Sequence, residues 1–187
     1  MNTMHYSVLR WLFVFVVLVS AGGCVGSTVI QPNHPLIARE GATETAKVYF
    51  IRPYPGQGGV TDMPISISLA GAELLTLAKG QYTLIQLAAG TTELKADSYT
   101  IVGSRDNVGK VGPNVVKVSS NTQLSFSAGE THYLVFEPVL RPIIVFPPTP
   151  FPPGFEFLPR LVSRDRALYD VQRLTPVGAA VAEPIAR

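Results

Sequence analysis

The strongest constraint on what this chain can fold into is a hydrophobic period close to two. Ile65, Ile67 and Leu69 alternate with Ser66 and Ser68; Thr92, Leu94 and Ala96 alternate with Glu93, Lys95 and Asp97; Leu124, Phe126 and Ala128 alternate with Gln123, Ser125 and Ser127. Successive side chains of a strand point to opposite faces, so this alternation puts one face in a core and the other in water, as in antiparallel sheets. Other segments are apolar on both faces: KVYFIR at 47–52, residues 73–77, YTLIQL at 82–87, residues 115–118 and THYLVFE at 131–137. Such strands are expected to lie centrally or to be covered on both sides. Between them, Pro53-Tyr54-Pro55-Gly56, Ala70-Gly71, Lys79-Gly80, Ala89-Gly90 and Ala128-Gly129 place a glycine where the chain must reverse. Short strands separated by glycine turns, with no long helical period, indicate an all-β fold: an antiparallel β-sandwich of about seven or eight strands.

Two segments depart from the rhythm. Residues 98–114 carry Gly, Asn, Asp and Pro and are expected to form a long loop. Residues 141–160 hold seven prolines, which cannot donate to a sheet and favour an extended path. Their aromatics Phe146, Phe151, Phe155 and Phe157 set this Pro-rich arm apart from a solvated linker. It suits a stiff recognition segment for a partner protein, or an arm that packs its phenylalanines on the domain's own surface; the second is the preferred expectation. Ser163 then offers an N-cap, and Ala167, Leu168, Val171 and Leu174 fall at helical spacing before Pro176. One short C-terminal helix, covering a sheet edge or an open end of the core, is predicted, followed by a frayed tail.

The N-terminus carries a different signal. Arg10 is followed by WLFVFVVLV at 11–19, a charged region and a short apolar run in the layout of a bacterial export signal. Ser20-Ala21-Gly22-Gly23-Cys24 comes next and resembles the bacterial lipobox, with Ala21 where leucine is commoner. The resemblance implies signal-peptidase recognition through Ala21, Gly22 and Gly23, and a diacylglycerol thioether on Cys24, which becomes the N-terminus. Each buried methylene contributes about 0.8 kcal/mol, and two or more acyl chains anchor stably without a spanning helix. The rival expectation is an uncleaved signal anchor, because no charged residue occurs between Trp11 and Ala38. Against it, the apolar density collapses after Val19. By resemblance to Gram-negative lipoproteins, Val25 in the second mature position implies the outer membrane, facing the periplasm.

The expected organisation is a signal peptide at 1–23, a lipidated flexible tether at 24–45, the sandwich at 46–138, the proline- and phenylalanine-rich arm at 139–160, and a short helix with its tail at 161–187. Within the sandwich, AKVYFIRP at 46–53, the Ile65, Ile67, Leu69 strand ending in Ala70-Gly71, Gly80-Gln81-Tyr82 through Leu87-Ala88-Ala89-Gly90, and Ser127-Ala128-Gly129-Glu130-Thr131-His132-Tyr133 resemble an uncharacterised bacterial lipoprotein domain of unknown function. That domain is similar to PEGA-type and transthyretin-like β-sandwiches. The resemblance covers residues 46–138; it implies a fold and export, and brings no catalytic residue.

A composition of 47% hydrophobic and 15% charged residues with a net charge of +2 excludes a disordered chain and an electrostatic nucleic-acid binder. A single cysteine excludes an intrachain disulfide framework and a cysteine-cluster zinc site. His34 sits in the expected tether, where it is read as solvated, and His132 is read as a satisfied sheet histidine; two histidines this far apart make a poor metal site. The run Gly103 to Val111 has five residues between its glycines and valine where a phosphate loop needs Ser or Thr. Nothing in the spacing of Asp62, Asp97, Asp106, Glu130 and Glu137 selects a catalytic pair. Arg160, Arg164, Arg166 and Arg173 are interspersed with Asp165 and Asp170 and read as a solvated helix surface. The expectation is a non-enzymatic envelope lipoprotein without cofactor or metal, serving as a structural or protein-interaction module. Its partners would be the membrane, through acyl chains, and another envelope protein or peptidoglycan. The alternative is a small-ligand or glycan-binding module. The interaction residues to look for are Tyr54, Tyr99 and Tyr133, with Phe151 and Phe155 on the arm.

Overall fold

The computed structural model describes residues 27–39, 41–54, 63–105, 111–141 and 154–185. In chain order these form β1 (Val29–Ile30), β2 (Thr45–Arg52), β3 (Ile65–Leu69), β4 (Ala72–Leu77), β5 (Gln81–Ala88), β6 (Gly90–Arg105), β7 (Val111–Phe126), β8 (Thr131–Arg141) and β9 (Gly154–Val162). Helix α1 (Arg164–Val171), strand β10 (Thr175–Gly178) and helix α2 (Ala179–Ala182) follow. Two five-stranded sheets, in the orders β1-β4-β3-β6-β7 and β10-β5-β2-β8-β9, make an all-β sandwich. Among the described residues no helix is long and apolar enough to cross a membrane.

The alternating residues meet between the sheets. Phe50, Ile67, Leu75, Leu94, Leu134 and Phe136 are fully buried there, and Phe50 and Phe136 stack at 6.4 Å. Burying each such side chain contributes about 2 kcal/mol. Arg52 bridges the layers at one end. Its guanidinium donates to the Leu77 carbonyl at 2.8 Å and lies 4.8 Å over the Phe157 ring. The β3–β4 hairpin closes through Ala70 (φ 49°) and Gly71 (φ 80°), a pair of left-handed residues whose twist suits a two-residue turn.

The strands read as apolar on both faces at 47–52, 82–87 and 131–137 are β2, β5 and β8, the three interior strands of the second sheet. Their outer face carries Tyr49, Ile51, Tyr82, Leu84 and Val135, covered by Ala167 of α1, Ala180 of α2 and Ile185. Helix α1 begins where Ser163 predicts it, with the Ser163 hydroxyl accepting the Arg166 N–H at 3.4 Å. It lies on this sheet face rather than over an edge or an open end.

Several expectations are corrected. The second sheet is mixed, not antiparallel: β2 runs parallel to β8, and β10 to β5. Side-chain alternation is the same in both pairings, so the sequence carries no sign of this. The predicted long loop at 98–114 is mostly hairpin. Ser98 to Arg105 pair with Val111 to Val118, and Pro113 is accommodated opposite Gly103 because β7 is an edge strand. The arm at 139–160 is paired at both ends, with Leu140 opposite Phe155 and Arg141 opposite Gly154, and Phe157 enters the core. Phe151, in the middle of the arm, lies outside the described residues. The expected frayed tail forms β10 and α2, since Pro176 needs no donor on an outermost strand.

The largest correction concerns the tether. Val29 and Ile30 pair with Thr76 and Leu75 of β4, the Ala38 N–H reaches the Gln86 carbonyl at 2.9 Å, and Ile37 bridges to Leu87. Isolated apolar residues among Gly, Pro and Asn looked like linker composition; Ile30, Leu36 and Ile37 in fact pack against the core.

Candidate functional site

The three tyrosines singled out above occupy separate environments. Tyr133 of β8 is half-buried and stacks on Tyr49 of β2 beneath the C-terminal cover, with ring centroids 5.4 Å apart. Tyr99 lies on β6 opposite Lys117 of β7. Tyr54 follows β2 and is 54% exposed. Its ring lies directly over Gly80, so that a Cβ there would stand 2.2 Å from the Tyr54 Cζ. Phe155 is placed by the β8–β9 ladder opposite Leu140.

Of these three, Tyr54 lines a recess. A groove of about 410 Å³ has Pro53 and Tyr54 on one wall and Tyr169, Asp170, Gln172, Arg173 and Leu174 on the other. Tyr169 is 67% exposed, and the Arg166 guanidinium sits 5.7 Å from its ring centre. Arg166 also donates to Asp170 at 3.0 Å. Burial pushes the Asp170 carboxyl above its ordinary range, against the pull of Arg166. Two exposed phenol rings beside a carboxylate, an amide and a guanidinium can stack on and hydrogen-bond a polar ligand. The sequence pointed to Tyr54 alone; Arg173 read as helix surface and Tyr169 was not singled out, and their proximity to Tyr54 follows from α1 running along the second sheet. A hollow of about 470 Å³ is lined by residues 32–39 alone, and its one imidazole is already committed to the backbone.

That imidazole is His34, which is 5% exposed rather than solvated. Its Nδ1 accepts the Leu36 N–H at 3.1 Å, which places the proton on Nε2, 3.2 Å from both the Leu69 and the Ala72 carbonyls. His34 therefore clamps the β3–β4 turn. His132 accepts the Ser127 N–H through Nε2 at 3.0 Å and meets Phe126 edge-on, as a structural sheet histidine.

One charged cluster has no forewarning in the sequence. Asp97, 7% exposed, accepts the Ser119 hydroxyl at 2.5 Å and the Lys117 ammonium at 2.7 Å, with Lys95 at 3.6 Å. Burial alone raises a carboxyl, but the hydrogen bonds from Lys117 and Ser119 and the charges of Lys117 and Lys95 outweigh it and hold Asp97 below its ordinary value. The register explains the cluster: Asp97 faces Ser119 across the β6–β7 ladder. Among the described residues no group of three or more His, Cys, Asp and Glu side chains is arranged to hold a metal ion.

Ala21, Gly22, Gly23 and Cys24 lie outside the described residues. No protein-family model matches the chain, and no curated protein or solved structure shows significant similarity to it.

Proposed function

We propose that this chain is an envelope lipoprotein: a non-catalytic β-sandwich, released from its signal at residue 23 and held at a membrane by acyl chains on Cys24, acting as a structural or protein-interaction module. The observation that carries this is the lone cysteine directly after an apolar run and two glycines. Cleavage before Cys24 leaves every described strand, from β1 at Val29 onward, in the mature protein. The resemblance of residues 46–138 to exported lipoprotein domains points the same way. In a Gram-negative host the mature polypeptide is expected to start at Cys24 with a diacylglycerol thioether, to incorporate labelled palmitate, and to accumulate as precursor under globomycin. An intact Met1 terminus or an unmodified sulfur overturns the proposal.

The Tyr54–Tyr169 groove favours a second reading, a small-ligand or glycan-binding module on the same anchor. Binding of peptidoglycan fragments that is lost in both Tyr54→Ala and Tyr169→Ala would establish it, and binding unaffected by either would remove it.

A further inference from the structure

On the lipid-anchored reading, the structure also constrains how the body meets the bilayer. From Cys24 to Thr28 there are four residue steps, at most about 14 Å of extended chain. A free tether through residue 45 would have let the domain roam. Instead Thr28 is fixed: its hydroxyl donates to the Gln81 side-chain oxygen at 2.6 Å and accepts the Ala78 N–H at 3.0 Å. The anchor thus enters at the β4–β5 turn, and this end of the sandwich stays within a short chain's length of the lipid.

The registers show what else lies at that end. Strand β6 pairs with β3 only as far as Asp97 opposite Ser66, near the start of β3, which is the end of the sheet where β4 finishes. Residues 99–105 then continue beyond with β7 alone, about 23 Å of strand. In the second sheet β8 runs parallel to β2 and pairs with it as far as Val135 opposite Ile51. Residues 137–141 continue past it with β9 alone, about 16 Å. Both hairpins therefore project from the end where the anchor enters, by at least the tether's reach. Their projecting strands carry the apolar Ile101, Val102, Val139 and Leu140 together with the basic Arg105 and Arg141. Strands that carry both apolar and basic residue types suit a surface of lipid headgroup phosphates.

We propose that the protein stands end-on on the bilayer, with the paired β6–β7 and β8–β9 hairpins directed at the headgroups. The test uses the mature lipidated protein in vesicles of phosphatidylethanolamine and phosphatidylglycerol, with headgroup-spin-labelled lipid as a fluorescence quencher. Trp11 is the sole tryptophan and leaves with the signal, so one introduced tryptophan reports alone. Val139→Trp on β8 is expected to be quenched several-fold more than Ala128→Trp in the exposed turn at the opposite end, an excess that falls in Arg105→Glu/Arg141→Glu and at high salt. Tyr99→Trp, an aromatic exchange on the other hairpin, gives a second probe if Val139→Trp disturbs folding. Equal quenching at the two ends, or more at Ala128, overturns the end-on pose while leaving acylation intact, and hairpins engaged by a protein or glycan would show themselves in this way. An unmodified Cys24 in the mass spectrum of the same preparation overturns both proposals.

Discussion

Tyr49 and Tyr133 are register partners on the parallel strands β2 and β8, and their rings stack at 5.4 Å, 10° from coplanar. The pair lies on the face of the second sheet that the C-terminal segment covers, and the Tyr49 hydroxyl closes that cover by donating to the Glu183 carbonyl at 2.9 Å. Burial first, then the charge of Glu183, pushes the Tyr49 phenol up to about 12. Its folded value lies above the ordinary 10.0, so the contribution to stability is whole below about pH 10 and is lost as pH rises through about 12. Tyrosinate absorbance and circular dichroism, followed together, should show late ionisation coinciding with loss of structure. In Tyr49→Phe that alkaline step should shrink, while stability near neutrality falls by about 1 kcal/mol through the lost hydrogen bond.

Asp97 gives the opposite pH dependence. A carboxyl held below its ordinary value of 3.8 stabilises the fold above that pH, and the contribution disappears as pH falls from there through the lower folded value. Acid unfolding should therefore move to higher pH in Lys117→Ala, which removes the 2.7 Å partner. Asp97→Asn should flatten the acid limb and lower stability at neutral pH by about 2 kcal/mol, the scale of lost charge-assisted hydrogen bonds. Urea denaturation at several pH values measures both.

His34 ties the N-terminal segment to the β3–β4 turn through its two carbonyl contacts and the Leu36 amide. In His34→Ala the backbone groups it satisfied lose their partner, and stability should fall by about 2 kcal/mol. Proteolysis within residues 31–39 should accelerate before the core strands open, as expected of a locally released segment. Cleavage rates equal to those of the parent protein would show that β1 and the Ile37 bridge hold the segment without the imidazole.

The strands were legible because burial forces alternation: Ile65, Ile67 and Leu69 announce β3, and the two-faced apolarity of residues 47–52 and 82–87 announces strands with a cover on each side. What covers the second face was half legible, since Ala167 and Leu168 mark a helix but not the sheet it lies on. Local composition misled wherever distant pairing decides. Residues 29–39 read as a linker until β4 and β5 supply partners, and residues 98–105 read as a loop until β7 does, because glycine, asparagine and proline report weak local preference and not the strand alongside. The groove was legible only through Tyr54; Tyr169 and Arg173 reach it through the path of α1, which no local pattern encodes.

The seat of Tyr54 offers a way to separate two effects that one substitution would mix. Gly80 has φ +71°, a conformation that side-chain-bearing residues adopt at a cost of about 1 kcal/mol, and the Tyr54 ring occupies the space a Cβ would need. Its N–H binds the Arg52 carbonyl and its carbonyl accepts the Thr175 N–H, so the backbone is pinned between β2 and β10 and cannot relax freely. Gly80→Ala should therefore destabilise by more than the conformational cost, by about 2 kcal/mol in all, because the ring must leave its seat. In a Tyr54→Ala background the same change meets no ring, and its cost should drop to the conformational part alone. Urea titrations of the four proteins give the coupling energy directly. A cost for Gly80→Ala that is the same with and without the tyrosine would mean that the ring does not rest on Gly80 in solution, and that one wall of the Tyr54–Tyr169 groove is not fixed.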